Sequence, residues 1–166
     1  MVAIMSTDLA IRAATAVDAP ELARLVTALG HSTTPEQLAE RWARWTSAGN
    51  AALVAVMPDD VLAGVATLHQ MVVLHRPKPV GRITALVVDS SVRGQGIGRA
   101  LVAAAEELLS SAGCGLLEVT SNVRLTEAHA FYGHLGYEQT SFRFAKVLAP
   151  AADEGAVSHC LRRHDP

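Results

Sequence analysis

No stretch of this chain approaches the ~18 consecutive apolar residues of a membrane-spanning helix. Its first ten residues carry no basic segment followed by a long apolar one. Neither a spanning segment nor a secretory leader is expected, so the chain reads as soluble and cytoplasmic, with no membrane partner. Basic excess is missing too: 14 Lys and Arg stand against 16 Asp and Glu, a formal net charge of −2. Lysine occurs only at 78 and 146. A general nucleic-acid binder carries a basic face, so no nucleic-acid partner is expected. Cysteine is scarce. Cys114 and Cys160 are far apart and make no metal-ligand spacing, so no metal is expected and no disulfide is required.

What remains is an ordinary globular chain. Of 166 residues, 50% are hydrophobic and 18% charged, which suits one domain with a sizeable core. We place that single domain at 1–148. The last residues, 149–166, turn to Ala, Pro, Asp, Glu and Gly and are expected to form a mobile tail. Alternation and periodicity predict a short strand at 10–14, then a helix opened by Asp18 and Pro20 and stopped by Gly30. A second helix follows Thr34-Pro35, with Leu38, Trp42 and Trp45 on one face. Strands are predicted at 51–57, 61–74 and 83–88, the first two joined by a turn at Pro58-Asp59-Asp60. A helix then runs from Ile97 to about Ser111, with Ile97, Leu101, Ala104, Ala105 and Leu108 as its buried stripe. A fifth strand is predicted at 115–120, a fourth helix from Thr126 to Gly136, and a sixth strand at 141–147.

The chemistry centres on the link between the fourth strand and the third helix, Asp89-Ser90-Ser91-Val92-Arg93-Gly94-Gln95-Gly96-Ile97-Gly98-Arg99. Three alternate glycines let the backbone turn tightly and come close to a ligand. The first turn of the helix leaves N–H groups without partners and carries partial positive charge. Such a turn takes phosphate, and Arg93 and Arg99 add cations on either side. A nucleotide P-loop is excluded, because Gly98 is followed by Arg99-Ala100 rather than Lys-Ser/Thr. A dinucleotide fingerprint fits poorly, since Arg99 stands where its third glycine belongs, although Glu118 lies near the place of a ribose-binding acid. A tight loop with no ligand is the remaining alternative.

Arg93-x-x-Gly96-x-Gly98 resembles the coenzyme-A-binding signature of the GNAT superfamily of N-acetyltransferases. A second block, Ala128-His129-Ala130-Phe131-Tyr132-Gly133-His134-Leu135-Gly136-Tyr137, resembles that superfamily's Ala-x-x-Phe-Tyr-x-x-x-Gly-Tyr block. The resemblance implies an α/β (α+β) fold: a mixed sheet of six to seven strands, about four helices, and splayed fourth and fifth strands. It also implies acetyl-CoA as co-substrate. Leu86, Val87 and Val88 would offer backbone groups to its pantetheine arm. Arg93, Gly94, Gln95, Gly96, Ile97, Gly98 and Arg99 would hold the diphosphate. Tyr132 would lie near the sulfur and protonate it. The resemblance leaves a homodimer open.

Two positions depart from the pattern. The glutamate base of histone-type members is Arg82 here, which weakens a histone-directed reading. The usual cofactor-contacting Asn is Leu125, so Asn122 is the substitute candidate. Glu118 becomes the candidate base, with a structural ion pair as its alternative role. His69 and His75 are further candidates. Trp42 and Trp45 could line an acceptor pocket or simply pack the core. The expected reaction moves an acetyl group from acetyl-CoA directly to a primary amine, with a small molecule as acceptor. The alternatives are a peptide or protein acceptor, and a non-catalytic acetyl-CoA sensor.

Overall fold

The computed structural model describes residues 9–58 and 60–148. The order is β1 (Ala10–Ala13), α1 (Ala19–Ala28), α2 (Pro35–Ser47), β2 (Asn50–Val56), β3 (Leu62–Met71), β4 (Val80–Val88), α3 (Ile97–Ser111), β5 (Leu116–Val119) and α4 (Thr126–His134). The expected tail at 149–166, Cys160 included, lies outside the described residues, as does Asp59 in the predicted turn. The chain divides into two compact units, one ending at Thr126 and one beginning at Glu127.

In the first unit, the five strands form one sheet in the order β1-β2-β3-β4-β5. The first three pairings are antiparallel and β4–β5 is parallel. A parallel neighbour needs a crossover, which α3 provides. Helices cover both faces. On one, Leu22 and Leu25 of α1 join Ala52, Val54, Val65 and Val87 of the sheet, with Leu38, Trp42 and Trp45 of α2 packed against them. On the other lies α3. Gly64 and Gly81 let it approach: a Cβ on Gly64 would stand 2.7 Å from the Val87 carbonyl oxygen and 3.1 Å from Leu101 Cδ1, and one on Gly81 would stand 2.8 Å from Leu109 Cδ1.

Local chemistry explains the helix starts. Thr34 accepts from the Gln37 amide at 3.3 Å, and Gln37 Oε1 accepts from the Thr34 amide at 3.1 Å. This reciprocal cap, with Pro35 at the first position, fixes where α2 begins. Asp18 does not cap α1 as expected; its carboxylate instead accepts from the Thr15 amide at 2.7 Å and pairs with Arg12 at 2.7 Å.

Several expectations are corrected. β3 ends at Met71 rather than Leu74, and β4 begins at Val80, three residues before the apolar run. Gly81 and Arg82 hid that start, because their place in the strand comes from contact with α3 and β5, not from hydropathy. The buried stripe of α3 is Ile97, Leu101, Val102, Ala105 and Leu109; Leu108 faces outward. The described residues contain five strands, not six or seven. Residues 141–147 form no ladder, and Phe142 and Phe144 are 77% and 92% exposed. Alternating side chains supply a face, but a strand also needs a neighbour to take its N–H and C=O groups.

The second unit is built on α4. Gly136 takes φ +88°, its amide reaches the Gly133 carbonyl, and the Tyr137 amide reaches the Tyr132 carbonyl, both at 3.0 Å. Those two bonds close the helix in a Schellman turn, which a glycine at that position permits.

Candidate active site

The sheet opens midway along β4. Val80, Gly81, Arg82 and Ile83 pair with Leu116, Leu117, Glu118 and Val119, and there β5 ends. β4 continues for five more residues, paired among the described residues with β3 alone. The register against β3 shifts at the same place. Thr67 faces Ala85 but Leu68 faces Ile83, so Thr84 is an extra residue in β4. Such a bulge bends its strand and raises the local twist. Thr84 Oγ1 bonds Thr67 Oγ1 at 2.7 Å and donates to the Thr67 carbonyl at 3.2 Å. The pairing of β4 with β5 therefore ends beside a bulge held by side-chain hydrogen bonds.

Past the bulge, strand alternation decides which backbone groups are free. The Asp89 amide donates to Ala63 on β3 at 2.8 Å. Counting back by twos, Val87 also turns its backbone groups toward β3, while Leu86 and Val88 turn theirs to the open side. The Val88 carbonyl there accepts Arg93 Nε at 3.3 Å.

The glycine loop follows at once. Gly94 and Gly96 have φ of +78° and +82°, in the left-handed region, and Gly96 is the N-cap of α3. As a glycine, the cap residue has no side chain to offer the first amides of that helix. A Cβ added at Gly94 or Gly96 would meet nothing within 4 Å. The glycines are thus required by conformation rather than by crowding. Ile97 anchors the turn with its side chain in the core, while Arg93, Gln95 and Arg99 are exposed. Asp89 braces the loop from behind. Its Oδ1 accepts from Ser91 Oγ at 2.7 Å and from the Ser91 amide at 2.9 Å, and its Oδ2 pairs with Arg24 of α1. The Ser91 bonds first, then Arg24, pull its carboxyl down to about 2.

Glu118 sits opposite Arg82 in the β4–β5 register, and the two form an ion pair. Arg82 Nε reaches Glu118 Oε1 at 2.7 Å, and a second guanidinium nitrogen binds the same oxygen. His69 occupies the next place in that cross-strand row, opposite Arg82 on β3. Its Nδ1 is buried and has no hydrogen-bond partner among the described residues. His75 lies in the loop between β3 and β4 and is exposed. Asn122 makes a turn after β5: its Oδ1 accepts from the Arg124 amide at 2.9 Å and its carbonyl from the Leu125 amide at 3.0 Å.

A pocket of about 270 Å³ lies on the α1–α2 face of the first unit. Leu22, Val26, Leu38, Trp42, Trp45, Ala52 and Val65 supply its apolar wall, and Thr33, Arg41 and Thr67 its polar groups. The rings of Trp42 and Trp45 stand 5.4 Å apart, tilted by 40°. Both tryptophans therefore line a cavity and pack the core at once. Its floor residues Val65 and Thr67 pair with Val87 and Ala85 of the unsplit side of β4. Arg41, Thr67 and Thr84 were not singled out from the sequence. Arg41 carried a faint signal, since it falls three residues after Leu38 on α2, although it is itself exposed; the threonines carried none.

In the second unit, Tyr132 stacks edge-on against Phe131 at 5.2 Å and Tyr137 at 5.6 Å. Burial raises its hydroxyl above the ordinary value of 10. Among the described residues no group of three or more His, Cys, Asp or Glu could hold a metal, and no helix is long and apolar enough to cross a membrane.

The profile of the acetyltransferase (GNAT) family matches residues 19–137. An aminoalkylphosphonate N-acetyltransferase of Salmonella typhimurium is 42% identical over 87 residues, which span 52% of this chain and 56% of that protein. The chain thus spans little more than half the length of that relative. An aminoglycoside N(6')-acetyltransferase type 1 of Stenotrophomonas maltophilia is 32% identical over 147 residues, 86% of this chain and 95% of that one. Among solved structures, a Trypanosoma brucei acetyltransferase superposes with a TM-score of 0.76 at 27% identity, covering 85% of this chain and all of that one. With the parallel β4–β5 pair and the glycine turn already in place, these likenesses settle the family: the chain belongs to the acetyltransferase (GNAT) family of acyltransferases.

Proposed function

We propose that this chain moves an acetyl group from acetyl-CoA directly to a primary amine of a small molecule. The observation that carries this reading is the glycine-capped first turn of α3, reached through two left-handed glycines, at the end of a β4 that runs on past its last pair with β5. Unpartnered amides and a helix dipole suit a diphosphate. Gly94, Gly96, Ile97, Gly98 and the side chains of Arg93, Gln95 and Arg99 form that cradle. Leu86, Val87 and Val88 run beside the pantetheine arm, with Leu86 and Val88 turning backbone groups toward it. Asn122 lies on the loop after β5 and is the further candidate contact.

The amine forms a C–N bond to the carbonyl carbon as the C–S bond breaks. An amide of the free β4 edge stabilises the negative charge that gathers on the carbonyl oxygen. Tyr132, kept protonated by burial, gives its proton to the leaving thiolate. Glu118 is the candidate to take the amine proton. Arg82 occupies its Oε1, so Oε2 is the oxygen that would accept, through water. Holding both reactants in line supplies much of the rate.

The named activities of the two relatives, on an aminoalkylphosphonate and on an aminoglycoside, support a small-molecule acceptor. The test is thiol release from acetyl-CoA with a panel holding both acceptor types, simple alkylamines and a lysine peptide. Turnover on small amines is expected. Tight acetyl-CoA binding without turnover on any amine would instead make the chain a sensor, and turnover on the peptide alone a protein-directed enzyme.

A further inference from the structure

The pocket beside β4 is polar at two places and apolar between them. Its sheet floor carries Thr67, whose partner Ala85 lies on β4, about one strand spacing from the free edge. Its helical wall carries Arg41 and Thr33. Between them run Leu22, Val26, Leu38, Trp42 and Trp45. Arg41 supplies the single formal charge among the lining residues, and no carboxylate lines the pocket with it.

Arg41 is also held in place. Its Nε donates to the Gln37 carbonyl at 2.9 Å, and Nη2 donates to Thr33 Oγ1. A guanidinium has five N–H groups in a fixed fork. The described residues take two of the five, which leaves both on Nη1 and one on Nη2 for water or a ligand at this exposed rim of the pocket. A planar fork of this kind matches an oxyanion with two oxygens.

We propose that Arg41 reads an oxyanion on the acceptor, so that the preferred substrate is a small primary amine bearing a phosphonate, phosphate or carboxylate group. This rests on the acetyltransferase reading and adds the acceptor's chemical class to it. The anion pairs with Arg41 and Thr33, the carbon spacer lies against Trp42 and Trp45, and the amine points toward Thr67 and the β4 edge. The volume of about 270 Å³ sits just under the range of about 300–1,000 Å³ common for drug-sized ligands, so the spacer is short.

The experiment compares 3-aminopropylphosphonate and β-alanine with n-butylamine, on the wild type, Arg41→Gln and Arg41→Lys. Acetylation is followed by thiol release, and amine affinity by calorimetry in the presence of coenzyme A. The wild type is expected to favour the anionic amines. Arg41→Gln is expected to lower the anionic-to-neutral ratio of kcat/KM by about 10- to 100-fold, the usual weight of a charge-assisted hydrogen bond. Arg41→Lys should keep part of that ratio, since it retains the charge and loses the fork. A ratio unchanged in Arg41→Gln, or a wild type that favours n-butylamine, overturns the proposal. The calorimetric arm gives the same comparison of affinities without turnover, so a failure of catalysis is separated from a failure of Arg41 to read the anion.

Discussion

Thr84 on β4 and Thr67 on β3 join hydroxyl to hydroxyl across 2.7 Å, at the residue where β4 parts from β5. Thr84 is the extra residue of the bulge, and Thr67 is on the floor of the adjoining pocket. One pair therefore links the opening of the sheet to the place where an acceptor would lie. The pair is solvent-accessible, so its net worth is that of an ordinary hydrogen bond.

Replacing Thr84 by Val removes its half of the hydroxyl pair and its bond to the Thr67 carbonyl. We expect a loss of about 1 kcal/mol, measured from the urea midpoint, and a similar loss for Thr67→Val. The double variant should cost clearly less than the sum, because the two changes delete the same bond. Strict additivity would show that the hydroxyls do not act together.

Gly96→Asp should reduce acetyl-CoA affinity by more than about 100-fold, since a carboxylate would face the diphosphate and the helix dipole could not offset it. Gly96→Ala should cost far less affinity, and about 1–2 kcal/mol of stability from the left-handed backbone alone. Because a Cβ there meets nothing, both variants should fold. Calorimetry with coenzyme A checks the order, and equal affinity in Gly96→Asp and wild type would remove the loop from the cofactor site.

Gly64→Ala should destabilise more than Gly81→Ala. The first Cβ would stand 2.7 Å from a backbone oxygen of Val87, which cannot yield without moving β4. The second would press 2.8 Å from the end of the Leu109 side chain, which can rotate. Overpacking costs about 1–3 kcal/mol, and Gly64→Ala belongs at the upper end. Thermal melts that reversed the order would contradict the close approach of β3 to β4 and α3.

Asp89 ties stability to acid. Its carboxyl falls from an ordinary 3.8 to about 2 in the fold, through Ser91 first and Arg24 after it. A depressed value means the folded state favours the charged form. That stabilisation is complete above 3.8 and is lost as pH drops toward about 2. Asp18, lowered to about 2 chiefly by Arg12, acts in the same window. The melting temperature of Asp89→Asn should fall less steeply than wild type between these two values. Parallel curves would show that the carboxylate contributes nothing there.

Tyr132→Phe should lower kcat by about 10²-fold or more while leaving acetyl-CoA affinity nearly intact, if it serves as the acid. Burial lifts its hydroxyl above 10, so wild-type kcat should not decline through the neutral range on its account. Unchanged turnover in Tyr132→Phe would take it out of the reaction.

Much of this was legible in local spacing. The start of α2 was written in Thr34 and Pro35, because a cap involves residues within one turn; the structure adds Gln37 as the cap's other half. The turn at Gly94 and Gly96 was legible for a similar reason: a positive φ is a property of one residue. Glu118 was legible as a candidate, but not its partner. Arg82 lies 36 residues away, and only the parallel register brings them together. The sixth strand failed in the opposite way: its alternation was real, but residues 141–147 have no ladder among the described residues.

Residue order by itself determined the helices, the glycine turn with its open amides, and the two blocks that mark the family. These depend on contacts within a few residues, where the chain has little freedom to choose otherwise. Tertiary structure alone decided where β5 lets go of β4, that Thr84 bulges there, and that Arg41 is held on the wall of an aromatic pocket beside Thr67. Those depend on register and on packing between distant segments, which no short window of sequence contains.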